Sequence, residues 1–299
     1  MRLVAKEAAE EFGGVLSLGR LAKLGFDHSA VRREVNAERW VRHGRHTVAL
    51  HTGALSETAH SWRAVWEVAE RAALIDGVTA LRAAGLTRYT EPVVHVSVPR
   101  NARCPRATGV RIHRVARMAE EHRGAGLPRT RVEVAALRAA HWAASDRQAA
   151  LILCMVVQQR LTTGARLLSA SELVRGRTRR RFVQQVIADI ADGAHSLGEL
   201  DFARLCRTYG LPEPVRQEVR TTPAGRIYLD VRWAGSRLVV EIDGAGHRMG
   251  LAVTDDNLRQ NAVVLNDDRV LRLDLIGMRL CEAEFMAQVR QGLGDDGCV

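Results

Sequence analysis

The stretch LDVRWAGSRLVVEIDGAGHR, residues 229–248, constrains the fold more tightly than any other part of the chain. Leu229 and Val231 alternate with Asp230, and Leu238, Val240 and Ile242 alternate with Val239, Glu241 and Asp243. That period of two marks strands with one covered face, and the short segment around Ala234-Gly235-Ser236 joins them as a β-hairpin. A loop of four residues sets Asp230 directly across from Glu241, and a loop of two sets them diagonally. Both registers leave the two carboxylates on the same face. Directly opposed Cβ atoms lie roughly 5 Å apart. Carboxylates that close repel unless a cation lies between them or one takes a proton. Neither strand is expected to bring an Arg or Lys beside the pair, so a divalent metal held by Asp230 and Glu241 is the expected resolution. An all-oxygen site suits Mg²⁺, with Mn²⁺ as the alternative ion. Asp243 follows on the same face, and Gly244 and Gly246 permit a tight turn that returns His247 toward it. The plain alternative is a solvated sheet face.

Upstream, SLGELDFARLCRTYG reads as a helix with a Ser196-x-x-Glu199 capping box and Gly210 as its stop. Glu199 is spaced with Phe202 and Cys206 so as to lean inward, and its two readings are cap alone or cap and site. PVRQEVR and RVLRLDL read as further strands, and a helix begins near Thr254. The order is helix, three strands, helix, strand. On SLGE (196–199), YGLPEPVRQ (209–217), YLDV (228–231), LVVEIDGAGH (238–247), DNLRQNAVVL (256–265) and RVLRL (269–273), the last third of the chain resembles the PD-(D/E)xK nuclease fold, and within it the domains related to very-short-patch-repair endonucleases. The resemblance implies that Asp230 and Glu241 bind the metal. It implies that Glu199, Asp243 and His247 complete the catalytic set and that Arg259 contacts phosphate. The chain departs from the family where a lysine stands two residues after the Glu: Asp243 occupies that place, and the only lysines are Lys6 and Lys23. The very-short-patch-repair-like relatives also lack it, which makes His247 the expected base or water-orienting group.

At the other end, residues 1–50 read as three helices and a short hairpin. Gly13-Gly14 end the first helix, Ser17 caps a second that Gly25 stops, and Asp27 caps a third, HSAVRREVN. Val31 and Val35 face inward there, leaving Arg32, Arg33 and Asn36 outside. ERWVRHGRHTVAL turns near Gly44 with Arg42 and Arg45 at its tip. Three helices and a basic hairpin describe a winged helix-turn-helix, in which the third helix enters the major groove and the wing lies along phosphates. The segment from Gly13 to Leu50 resembles the N-terminal winged helix of AbiEi-type antitoxins. A winged helix joined to such a nuclease-like domain resembles an actinobacterial family of unassigned function.

Between them the periodicity is mostly helical, with extended segments at 93–98 and 109–115. Trp62, Trp66 and Trp142 are read as core, and His60, His95, His113 and His141, which show no ligand spacing, as structural. RGRTRRR (175–181) suits either a phosphate backbone or a solvated helix face. A net charge of +10 favours a polyanionic partner, although a proteome rich in Arg would also produce it. Five scattered cysteines without a C-x-x-C pair argue against a zinc ribbon and fit a reducing cytoplasm. No apolar run is long enough for a membrane span, and the charged first residues do not read as a signal peptide.

The expected fold class is therefore α+β and multidomain: a winged helix-turn-helix over 1–52, a mostly helical middle over 53–192, and a restriction-endonuclease-like α/β domain over 193–299. The expected function is DNA binding coupled to Mg²⁺-dependent phosphodiester hydrolysis. The rival is an AbiEi-like antitoxin or repressor with a degenerate nuclease domain, for which a second copy of the chain or a cognate toxin are the further partners.

Overall fold

A computed structural model describes residues 1–116, 118, 122–123, 126–174, 176, 178–192, 200–221, 227–236, 238–243, 254, 257–258, 261 and 270–294. The chain is mixed α and β, with three sheets, and divides into two compact units, Met1–Ala135 and Ala136–Val299. The segment expected to stand as a separate middle is thus shared between them. Among the described residues no helix is long and apolar enough to cross a membrane.

The first unit begins with α1 (Arg2–Glu10), β1 (Val15–Ser17), α2 (Leu18–Lys23), α3 (His28–Asn36), β2 (Val41–Arg42) and β3 (Thr47–Ala49). The glycines after α1 take positive φ, +71° at Gly13 and +87° at Gly14, which turns the chain straight into β1. That strand was not expected. It pairs antiparallel with β3, and β2 lies on the other side of β3. The Ser17 hydroxyl accepts from Arg20 N (3.3 Å) and the Asp27 carboxylate from Ala30 N (2.6 Å), so the expected caps start α2 and α3.

Helix α4 (Glu57–Ala69), capped by Ser56, supplies Trp62 and Trp66 to the core. Phe12 meets the Trp62 ring edge-on at 4.9 Å, and the two indoles stack at 5.5 Å. Both are core residues, as their spacing implies.

A five-stranded sheet follows from β4 (Leu74–Ile75), β5 (Val94–Pro99), β6 (Val110–Val115), β7 (His122–Arg123) and β8 (Arg129–Thr130), in the order β6-β5-β4-β8-β7. The two extended segments seen in the sequence are its β5 and β6, paired in parallel. Helix α5 (Gly77–Ala83) starts at Asp76, a fully buried carboxylate that accepts from Gly77 N (2.7 Å) and the Ser97 hydroxyl (2.5 Å). Among the described residues the stretch 53–192 is thus mostly helical, and its strands extend beyond the two expected segments.

Helix α6 (Val132–Trp142) crosses the division between the units. The second unit then holds α7 (Asp146–Gln158), α8 (Gly164–Ser171), α9 (Arg180–Ala191), α10 (Phe202–Thr208), β9 (Arg216–Thr221), β10 (Ile227–Arg232), β11 (Val239–Asp243), β12 (Val270–Asp274), α11 (Leu275–Leu280) and α12 (Glu282–Gly294). Its sheet runs β12-β11-β10-β9, antiparallel except for the parallel β11–β12 pair. Leu229, Val231, Val240, Ile242, Leu271 and Leu273 project to one face and pack with Phe202, Cys206, Phe285 and Met286. The Trp233 indole N–H, which burial would otherwise strand, donates to Pro212 O at 2.8 Å.

Helix α9 joins this body through Asp189, which pairs with Arg279 of α11 at 3.2 Å. That explains why the helices after Ala135 belong with the C-terminal sheet. Helix α10 departs from expectation at its start. It is capped by Asp201, whose carboxylate accepts from Arg204 N (2.8 Å), and Ser196 lies outside the described residues. Gly210 ends it, at φ +65°.

Candidate functional site

The hairpin takes the register of the four-residue loop: Asp230 pairs directly with Glu241. The same line extends to both neighbouring strands, since Asp230 also faces Glu218 on β9 and Glu241 faces Arg272 on β12. One row across the sheet therefore reads Glu218, Asp230, Glu241, Arg272. Asp243 sits one row on, beside Asp274. These positions alternate with the buried apolar ones and share the face away from the main core. Asp230 is only 2% exposed, whereas Glu241 and Asp243 are half-buried.

The expectation that no cation approaches the pair is corrected. Arg232 Nε lies 3.2 and 3.3 Å from the two Asp230 oxygens, and Arg272 Nε lies 3.8 Å from Glu241. Arg232 follows Asp230 by two residues on the same strand, so its side chain leaves from the same face and folds back. Arg272 arrives from the parallel neighbour. The repulsion between Asp230 and Glu241 is thus offset by protein cations, and a metal is not required to hold the pair together. Its donor chemistry, carboxylate oxygens alone, still fits a hard divalent ion. Among the described residues no group of three or more His, Cys, Asp and Glu side chains is arranged to hold a metal. Glu199, His247 and Arg259 lie outside the described residues.

Asp274 is a part of this neighbourhood that sequence reasoning missed. It caps α11 through Gly277 N (2.7 Å) and accepts from Thr254 (3.1 Å) and Asn257 (3.4 Å). Burial raises its pKa above the ordinary carboxylate value against the pull of these donors, and the nearby Asp243 charge adds to the rise. Asn261 fastens the edge strand: its side chain accepts from Arg272 N (2.9 Å) and donates to Arg272 O (2.8 Å). Thr254, Asn257, Leu258 and Asn261 fall at i, i+3, i+4 and i+7, the stripe of one helix face, and this pattern was the available signal.

In the first unit, Arg32, Arg33 and Asn36 are exposed on α3 while Val31 is buried beneath them. Glu34, on the inner side, binds Arg39 (2.6 Å) and Arg2 (2.9 Å), and the Arg39 hydrogen bond chiefly holds its pKa low. Arg42 and Arg45 are exposed on the β2–β3 hairpin, and Arg42 reaches His28 at the start of α3 (3.4 Å).

The hairpin tip is clamped from below by Glu67 of α4, which accepts from Arg45 N (2.8 Å), His46 N (2.9 Å) and the Thr47 hydroxyl (2.7 Å). Desolvation works against its ionisation, but the Thr47 hydroxyl and the two backbone donors outweigh it and keep the pKa below the usual range. A Cβ at Gly44 would collide with the Glu67 carboxylate, so glycine is required there. No protein-family model matches the chain, and no curated protein matches it.

Proposed function

We propose that this chain is a DNA-binding protein whose second unit carries a metal-dependent phosphodiesterase site of the endonuclease-like kind. The observation that carries the hydrolytic reading is the direct Asp230–Glu241 pair, with Asp230 buried in the sheet beside Asp243. The order α1-β1-α2-α3-β2-β3 with strand order β1-β3-β2 supports a winged helix-turn-helix. In that reading Arg32, Arg33 and Asn36 face base edges in the major groove, and Arg42 and Arg45 of the wing bind phosphates. Asp230 and Glu241 would hold Mg²⁺ or Mn²⁺. Such an ion, when bound, makes a water nucleophilic near neutral pH and neutralises charge on the phosphate under attack. Asp243 would hold a water beside it, and Arg232 and Arg272 would turn from the carboxylates to the scissile phosphate.

The test is a panel of labelled duplex, single-stranded and mismatched DNAs with Mg²⁺, Mn²⁺ or EDTA, run beside Asp230→Asn and Glu241→Gln. Metal-dependent cutting that both variants lack supports the proposal. Cutting that survives both variants overturns it.

A second reading, a DNA-binding repressor or antitoxin, is favoured by the Arg232–Asp230 contact, which satisfies the buried carboxylate without metal. Under it, duplex binding is indifferent to EDTA and to both substitutions, and no cutting occurs.

A further inference from the structure

A cavity of about 630 Å³ opens inside the first unit, bounded by the first turns of α4, by α5, by the segment 91–94 before and into β5, by Thr108-Gly109, and by His43 of the β2–β3 hairpin. That volume is in the range of small-molecule sites. Leu55, Val78, Pro92, Val93, Val94 and Leu127 make much of its wall apolar.

Polar and charged side chains share the wall, and their charges are unevenly matched. Arg82 pairs with Glu57. Glu91 is engaged by the buried His95 ring (3.0 Å), which in turn contacts His113 (3.0 Å). Arg63 differs. Its Nε donates to His43 O and its Nη1 to Thr108 O (3.1 Å), and among the described residues no carboxylate pairs with it. Two neutral carbonyls leave its charge uncompensated in a half-buried position. His43 Nε2 is buried and has no hydrogen-bond partner among the described residues. Burial, and then the Arg63 charge, hold the His43 pKa low, so at neutral pH the ring is uncharged and offers one N–H. A guanidinium that no carboxylate neutralises among the described residues, on the wall of a partly apolar cavity, suits an organic anion.

We infer that this cavity binds a small organic carboxylate with an apolar body, recognised by Arg63, and that binding loosens the wing. The second half rests on the DNA-binding reading above. Arg63 is one of two α4 side chains that hold the wing: it takes His43 O, and Glu67 takes Arg45 N and His46 N. A carboxylate that draws Arg63 into the cavity releases His43 O, and the tip keeps only the Glu67 clamp. The coupling is local: ligand and wing compete for one guanidinium.

The experiment is calorimetric titration of the full chain with benzoate, octanoate and naphthalene-2-carboxylate, each against its own carboxamide, and with inorganic phosphate. At least one acid is expected to bind with Kd below about 100 µM and at least about tenfold tighter than its amide, with phosphate not binding. Arg63→Gln should erase the preference for acid over amide, and Arg63→Lys should retain part of it. The wild-type acid–amide comparison needs no variant, so a misfolded Arg63→Gln chain does not protect the inference. No saturable acid binding below about 1 mM, or equal binding of acid and amide, overturns it. In a second arm, the acid that binds is added to a complex with a labelled duplex, and DNA affinity should fall at least about fivefold, the low end of ordinary coupling. Acid binding with unchanged DNA affinity overturns the coupling. Acid binding by a chain with no DNA affinity overturns the DNA-binding reading and leaves the carboxylate site standing.

Discussion

Two buried carboxylates, one in each unit, are solved in different ways. Glu67 is 6% exposed and its oxygens are spent on two backbone N–H groups and a hydroxyl, all at 2.7–2.9 Å and all from the segment it supports. Asp230 is 2% exposed and takes the Arg232 guanidinium at 3.2–3.3 Å, from a side chain that is itself half in solvent. Donors fixed to the backbone cannot leave without unfolding the turn that carries them. A guanidinium on a flexible stem can exchange partners at little cost. The first arrangement builds a wing; the second pairs a carboxylate with a cation that can exchange.

The largest effect should come from Asp230. Asp230→Asn preserves shape while removing the charge, and it should lower metal-dependent cleavage by about a thousandfold, the several kcal/mol that metal-assisted stabilisation supplies. Far-ultraviolet circular dichroism should remain that of the wild type. Cleavage within about tenfold of the wild type would erase the distinction just drawn.

Next comes the fixed one. Glu67→Ala strands three donors under the hairpin and should cost about 3 kcal/mol of stability, read by urea unfolding, with weaker DNA binding as a consequence. Glu67→Gln, which keeps one acceptor oxygen, should cost visibly less. A loss below about 1 kcal/mol for the alanine variant would mean that the hairpin does not depend on its clamp.

What was legible in the sequence follows the same division between backbone rules and arriving partners. Ser17, Asp27 and Ser56 cap helices because their side-chain oxygens sit next to otherwise unpaired N–H groups, a strictly local matter. Alternation put Asp230 and Glu241 on one face, and the structure chose the direct pairing between the two loop lengths the sequence allowed. Strands β1, β4, β7 and β8 went unseen because two or three residues carry no period. Asp201, which caps α10 at Arg204 N, was not singled out because it sits inside a stretch read as one continuous helix. Arg232 was overlooked by looking across the hairpin instead of along one strand, and Arg272 because its strand is adjacent in space and distant in sequence.

Arg232 offers an intermediate effect that separates the two functional readings without any cleavage assay. Arg232→Gln removes the Arg232 cation from the buried Asp230 and should cost about 1–2 kcal/mol, discounted from a fully buried pair because Arg232 is half exposed. Millimolar Mg²⁺ should then raise Tm more in the variant than in the wild type, since the ion binds only the folded form and no longer competes with a guanidinium. If Mg²⁺ leaves the variant's melting unchanged, Asp230 is a structural ion-pair residue and the repressor reading gains.

The smallest effect tests whether burial alone decides what a carboxylate costs. Asp274 is half-buried where Glu67 is buried, and it too has three donors, yet its pKa shifts the opposite way. Its folded pKa lies above the ordinary 3.8, so its stabilising contribution is complete below 3.8 and is lost as pH rises through the folded value. Glu67 has a folded pKa below 4.5, so its contribution is present above 4.5 and is lost as pH falls through the folded value. Asp274→Asn should therefore keep the α11 cap, change stability at pH 7 by less than about 1 kcal/mol and in the favourable direction, and flatten the decline seen as pH rises. Glu67→Gln should be destabilising at pH 7 and approach the wild type in acid. Parallel pH profiles for the two variants would show that donor count fixes the sign. Opposed profiles would show that the neighbouring Asp243 charge and the dry position between β12 and α11 outweigh the donors, leaving the acidic face of the second unit strained at neutral pH until a cation reaches it.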